Sequence, residues 1–141
     1  MSWLLDADVL SQPAKRNRNV KVIAWLEREA ARTYTSAVVI AQLACWVRSK
    51  EGRQRVLLQS WLRELIDSLE GRILSFNVST AHVWADQKFL FEEAGQRMPA
   101  EDSFIAATAR RHGLTIVTGN DRDFRRPGLQ VFNPFKELPE V

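Results

Sequence analysis

The chain has 141 residues, 45% of them apolar and 26% charged, with a formal net charge of +3 and one cysteine. That length predicts a single domain over residues 1–141, its last stretch from 132 onward a strand end and tail, able to bury roughly two thirds of the surface an unfolded chain exposes. No stretch approaches the ~20 apolar residues of a membrane span and no export signal is visible, so a cytoplasmic protein without membrane association is expected. Cys45 stands alone, which excludes an internal disulfide and a zinc site built on paired cysteines, and it is expected to fill core.

Residues 2–5 read as a first strand, and 19–30 (NVKVIAWLEREA) as a helix with Val22, Ile23, Trp25 and Leu26 inward. Tyr34 to Ser36 predicts a short strand leading into a helix over 37–49. From Arg53 to Leu69, Val56, Leu57, Trp61, Leu62, Leu65, Ile66 and Leu69 recur at helical spacing, with Gly71 as the stop. Ile73 to Phe76 is a strand candidate, and a helix carried by Val83, Trp84, Phe89 and Leu90 should run from Ser79 to Ala94. Pro99, Glu101 and Asp102 belong at a helix start, where proline fits the first turn and acids favour its positive end. Gly113 closes that helix, Thr115 to Thr118 form a strand, Gly119-Asn120-Asp121 make a turn, and Leu129 to Phe132 is a last strand. Strands alternating with helices predict a three-layer α/β/α fold around a mainly parallel sheet of four or five strands.

In "WLLDADVLS" (residues 3–11) the acids Asp6 and Asp8 stand directly behind the first strand. Asp is disfavoured in strands, and a buried unpaired carboxylate is costly. Ligands of parallel sheets bind beyond the carboxyl ends of the strands. Asn120, Asp121 and Asp123 follow the Thr115 strand, and Asp102 opens a helix between the two. If these strands are neighbours the acids converge, and a divalent cation resolves the repulsion. Mg²⁺ or Mn²⁺ suits such a set of hard oxygen donors, and such cations serve phosphodiester chemistry. Taken singly, Asp102 reads as a helix cap, Asp121 and Asp123 as turn formers and Asp8 as a helix start; Asp6 has no capping signature of its own. Basic residues bunch at Lys15-Arg16-Arg18, Arg48-Lys50-Arg53-Arg55, Arg110-Arg111 and Arg122-Arg125-Arg126, which suits a polyanionic partner or an ordinary solvated surface. His82 and His112 are far apart, and His112 fits a helix C-terminus better than a zinc site.

"LLDADVLSQ", "PAEDSFIAATARRHGLTIVTGNDRDF" and "LQVFNPF" resemble the PIN-domain family, in particular VapC-type toxins of bacterial toxin–antitoxin pairs and the related FitB-like proteins. The likeness runs from Ser2 to about Phe135 in the family's order and spacing. It implies a Mg²⁺- or Mn²⁺-dependent ribonuclease, homodimeric, with RNA as substrate and a cognate antitoxin protein as partner. It also implies Asp6, Asp102, Asn120 and Asp123 as metal ligands and catalytic residues, with Thr118 in support. Two departures stand out. Asp8 replaces the usual Asn, adding a negative charge beside the site. Gln42, in "VVIAQLACW", replaces a glutamate of the family's catalytic set, and an amide carries no charge and takes up no proton. Metal affinity should fall as a result, and Gln42→Glu should raise metal-dependent cleavage.

Two other readings use the same residues. A PIN-like module that binds RNA or an antitoxin without cutting is favoured by Gln42. A phosphatase of the haloacid dehalogenase type would use Asp6 as nucleophile and Asp8 as acid/base, but Val9-Leu10 stand where that family has threonine, and only Lys88 lies in the interval for its lysine. Trp46, Trp61 and Trp84 are expected in the core, although a hairpin over 37–69 could present an apolar groove to an antitoxin helix.

Overall fold

The computed structural model describes residues 1–138, so the end of the 132–141 tail lies outside the described residues. Five short strands form the sheet: β1 (Trp3–Leu5), β2 (Thr33–Ser36), β3 (Ile73–Leu74), β4 (Thr115–Val117) and β5 (Val131–Phe132). They lie in the order β3-β2-β1-β4-β5, and every pairing is parallel. Leu4, Leu5, Ile116 and Val117 are essentially inaccessible, as strands covered on both faces must be. β1 is central, with Leu5 opposite Val117 of β4.

The helices are α1 (Ala7–Leu10), α2 (Val20–Arg28), α3 (Ala37–Arg48), α4 (Gly52–Ser68), α5 (Val78–Glu93), α6 (Ala100–His112), α7 (Asp121–Phe124) and α8 (Pro134–Glu137). Their starts are set by short polar side chains that accept otherwise orphaned N–H groups. Asn19 caps α2, Ser36 caps α3 and Asn77 caps α5. Gly113 ends α6 in the left-handed region at φ 66°, as expected from its place in the sequence. Residues 119–121 were expected to form a plain turn, yet Asp121 already begins α7. On one side of the sheet Trp3 meets Trp25 of α2 and Phe132 of β5, with centroids 5.2–5.5 Å apart.

Two helical stripes are displaced from their expected positions. In α4 the buried positions are Leu58 and Leu62, followed by Leu69 just past its end, whereas Val56 and Leu57 are 63% and 59% exposed. Leu58, Leu62, Leu65 and Leu69 keep the 4,3,4 spacing of one face. In α5 the buried face is Thr80, Gln87 and Phe91, and Phe89 is 70% exposed. Gln87 Nε2 donates to the Ser103 carbonyl across the α5–α6 contact (3.0 Å), which meets half of its polarity, while its Oε1 is buried without a hydrogen-bond partner. Cys45 lies on the exposed side of α3 rather than in the core. Trp46 and Trp61 meet edge-on at 6.1 Å and pack the α3–α4 hairpin together, half-buried, instead of lining a groove within it. An apolar groove does exist, but between α2 and α4, lined by Ile23, Leu26, Leu65 and Leu69. No helix among the described residues is long and apolar enough to cross a membrane.

Because Leu4 is wholly buried in the central strand, Leu4→Ala should destabilise the fold by about 2–5 kcal/mol. Urea unfolding checks this; a loss below about 1 kcal/mol would show that β1 can collapse around the cavity.

Candidate functional site

The β1–β4 pairing brings two chain segments to one point. The Asp6 N–H donates to the Val117 carbonyl (2.9 Å), so the residues just past the two strand ends stand side by side. Thr118 Oγ1 then donates to Asp6 Oδ2 at 2.8 Å, while Asp6 Oδ1 accepts from the Ala7 N–H at 2.8 Å. Asp6 therefore caps α1, a role its sequence context did not reveal. The same Thr118 hydroxyl oxygen accepts from the Asn120 N–H at 3.0 Å. One buried threonine thus ties the first acid to the loop that carries the later ones.

Asp8, one step along α1, accepts the Gly119 N–H on Oδ2 at 2.8 Å, and its Oδ1 is buried without a hydrogen-bond partner. Only glycine fits opposite it: a Cβ at position 119 would stand 2.6 Å from Asp8 Oδ2 and 3.0 Å from the Phe135 ring. The loop is fastened from the far side by Asn133, whose Nδ2 donates to the Gly119 carbonyl (3.2 Å) and to Asp121 Oδ1 (3.0 Å). Asn133 was quoted within "LQVFNPF" without a role, and nothing in sequence spacing marks it as a loop fastener.

The acids sense one another. Burial, first, and then the charge of Asp123 raise Asp6, against the opposing hydrogen bonds from Thr118 and Ala7. Asp102, half-buried in the first turn of α6, is raised to about 6 by burial, then by the charges of Asp6, Asp123 and Glu101, with Arg126 opposing. Asp8 is raised to about 6 by burial and by Asp6, with the Gly119 N–H and Lys15 opposing. Pro99 holds the N-cap position of α6 and Asp102 lies inside its first turn, so Asp102 is not the cap of that helix. Asp6, Asp8, Asp102 and Asp123 therefore share one electrostatic neighbourhood at the carboxyl end of the sheet, with Thr118 inside it.

Asn120 is placed at the exposed rim and joins through its backbone. Asp121 is tied instead to Asn133 (3.0 Å) and Arg125 (3.0 Å), which in that order hold it below the usual carboxylate range. Gln42, on α3, donates from Nε2 to Glu101 Oε1 at 2.9 Å. Glu101 was read only as a helix-start acid; its proximity to Asp102 was the signal for more. Lys88 is engaged with Glu92 (2.9 Å) and lies over Trp84, so the lysine that a phosphatase reading requires is committed elsewhere.

All the candidate donors are hard oxygens, and a buried orphan oxygen, Asp8 Oδ1, lies beside them. Among the described residues no three His, Cys, Asp or Glu side chains are gathered at ligating distance around one point. Mg²⁺ does not require such a cage, because it is held by one or two carboxylates and keeps several waters. The donor set fits a hard dication and lacks the Cys and His ligands of a typical zinc site.

A parallel α/β sheet with acids converging beyond its central strands defines a class of site suited to phosphate chemistry. The PIN domain matches residues 3–129. The chain is 34% identical to Toxin FitB of Neisseria gonorrhoeae over 137 residues, covering 95% of this chain and 99% of that protein. It is 30% identical to VapC ribonuclease Y4jK of Sinorhizobium fredii, covering 94% and 97%. The crystal structure of FitAcB from Neisseria gonorrhoeae superposes with a TM-score of 0.89 at 32% identity, covering 95% of this chain and 99% of that one. The chain belongs to the PIN-domain family.

Because the folded, metal-free protein holds a proton on Asp8 up to about 6, against 3.8 for the ordinary group, this residue's contribution to stability falls as pH rises through that window. Asp8→Asn removes the charge and keeps an oxygen for the Gly119 N–H. It should stabilise the metal-free protein by roughly 1–3 kcal/mol near pH 7.5 and by little near pH 4, read from urea unfolding at both. An equal effect at the two pH values would show that Asp8 carries no such penalty.

Proposed function

We propose that this protein is a Mg²⁺- or Mn²⁺-dependent endoribonuclease acting as the toxin of a type II toxin–antitoxin pair. The observation that carries the reading is the convergence of acids at the carboxyl end of the sheet: burial and then the charge of Asp123 raise Asp6, and burial and then the charges of Asp6 and Asp123 raise Asp102, a conflict that a dication relieves. The relatives support it: one is named a toxin and another a VapC ribonuclease, and a structural neighbour at a TM-score of 0.90 and 29% identity is FitAB bound to an IR36 DNA fragment. We infer likewise that its partner is an antitoxin protein and that its working form is a cytoplasmic homodimer.

In this reading one or two of the carboxylates Asp6, Asp102 and Asp123 would hold the cation directly, the remaining ones and Asn120 through its waters, with Asp8 and Thr118 in support. Such a cation supplies an acidified water as nucleophile and neutralises charge on the phosphodiester. Thr118 and the Ala7 N–H fix both oxygens of Asp6, so its carboxylate meets the site in one orientation. Asp8 pins the Gly119 N–H and with it the loop leading to Asp123. Lys15, beside Asp8, and Arg126, beside Asp102, place positive charge at the rim where an RNA backbone approaches. Arg126 is held there by the carbonyls of Gln96, Arg97 and Arg122.

A second reading, binding without cleavage, draws on Gln42, whose amide has no charge to offer. Purified protein freed of antitoxin and incubated with structured RNA and Mn²⁺ separates the two. Cleavage abolished by EDTA is expected; retarded but intact RNA would establish the binding module instead. Thr118→Val should lower cleavage about 10–100-fold through loss of the Asp6 hydrogen bond, and Asp6→Asn should lower it by more than that. Wild-type rates in Asp6→Asn would remove the site from the chemistry.

A further inference from the structure

Gln42 and Glu101 lie 59 residues apart, on α3 and in the first turn of α6, and are joined by a 2.9 Å hydrogen bond from the Gln42 amide nitrogen to Glu101 Oε1. An acid in the first turn of a helix is favoured by the helix dipole alone. That explanation needs no partner on another helix. A solvent-exposed glutamate ordinarily samples many rotamers, and fixing it costs side-chain entropy; here an amide from α3 holds one of its oxygens. The charge so placed is one of those acting on Asp102, together with Asp6 and Asp123. Glu101 therefore belongs to the same group of acids, at the side of the site where α3 supplies no charge of its own. Gln42, with its nitrogen committed to Glu101, retains only a neutral oxygen for any cation.

We propose that Glu101 is a further carboxylate of the cation site, supplying the charge at its α3 side, and that Gln42 is the positioning residue that holds it there. This rests on the nuclease reading above. Glu101 can serve directly or through a water, because a hard dication such as Mg²⁺ keeps several waters. Gln42 and Glu101 form one donor–acceptor pair, and the pair should work with its members exchanged. Glutamate at position 42 and glutamine at position 101 would restore both the hydrogen bond and the number of charges.

The test is calorimetric titration of Mn²⁺ into the metal-stripped full chain, for the parent, Glu101→Gln, the exchange Gln42→Glu/Glu101→Gln, and Asp6→Asn. Thermal melting in EDTA verifies that each folds; Glu101 is exposed, so its replacement should leave the melt unchanged. Glu101→Gln should weaken Mn²⁺ binding about tenfold or more, and the exchange should return it to within about threefold of the parent. Unchanged affinity in Glu101→Gln, with binding lost in Asp6→Asn, overturns the role of Glu101 and leaves the nuclease reading standing. Weakening that the exchange does not recover also overturns the proposal, since it requires the two positions to be interchangeable. A parent that binds no Mn²⁺ overturns the nuclease reading and this proposal together.

Discussion

The parallel pairing of β1 with β4 governs the rest of the molecule. Leu5 opposite Val117 fixes the positions just beyond them, so Asp6 and Thr118 must meet. Leu4, Leu5, Ile116 and Val117 are apolar and covered on both faces, and one residue of shift would exchange the side chains that the two covering layers are packed around. The hydrophobic layers thus do electrostatic work. They force a carboxylate 6% exposed into a position it would not choose alone, and two hydrogen bonds to its oxygens offset part of the desolvation. What they leave uncompensated is the repulsion from its acidic neighbours.

Much of this was legible in the sequence because it depends on local signals. Short apolar runs separated by helical periods define the parallel sheet, and Asp6, Asp102 and Asp123 fall at strand or helix ends where the general geometry of such sheets predicts a site. The misplaced features depend on partners distant in the chain. Phe89 looks like a core residue until α6 is seen to pack on the face that carries Gln87 and Phe91. Val56 and Leu57 share the composition of Leu58 and Leu62, and only the packing of α4 decides which pair is covered. Cys45 was assigned to the core on residue type alone, yet it lies on the outer side of α3.

The site shows the same division. An acid next to a strand end is visible from one segment, whereas the functions of Asn133 and Glu101 come from contacts across many residues. Asp6 was judged free of any capping role because its flanking residues gave no helix signature; α1 is only four residues long, too short for periodicity to register. The cap and the candidate ligand are the same side chain. Its two oxygens divide the tasks, Oδ1 toward the Ala7 N–H and Oδ2 toward Thr118.

How the fold sorts its acids is clearest in α7, where Asp121 and Asp123 sit two residues apart on a four-residue helix and meet opposite fates. Asp121 faces Arg125, Lys136 and Asn133, and these neighbours stabilise its charge. Asp123 contributes its charge to Asp6 and Asp102 instead, raising both. A helix advances about 100° per residue, so two positions in sequence place side chains on nearly opposite faces. One face of α7 therefore anchors the loop to α8 through neutralised pairs, and the other adds unneutralised charge to the site. Had both acids been paired with arginine, the loop would be better anchored and the end of the sheet would have lost a charge that attracts a cation.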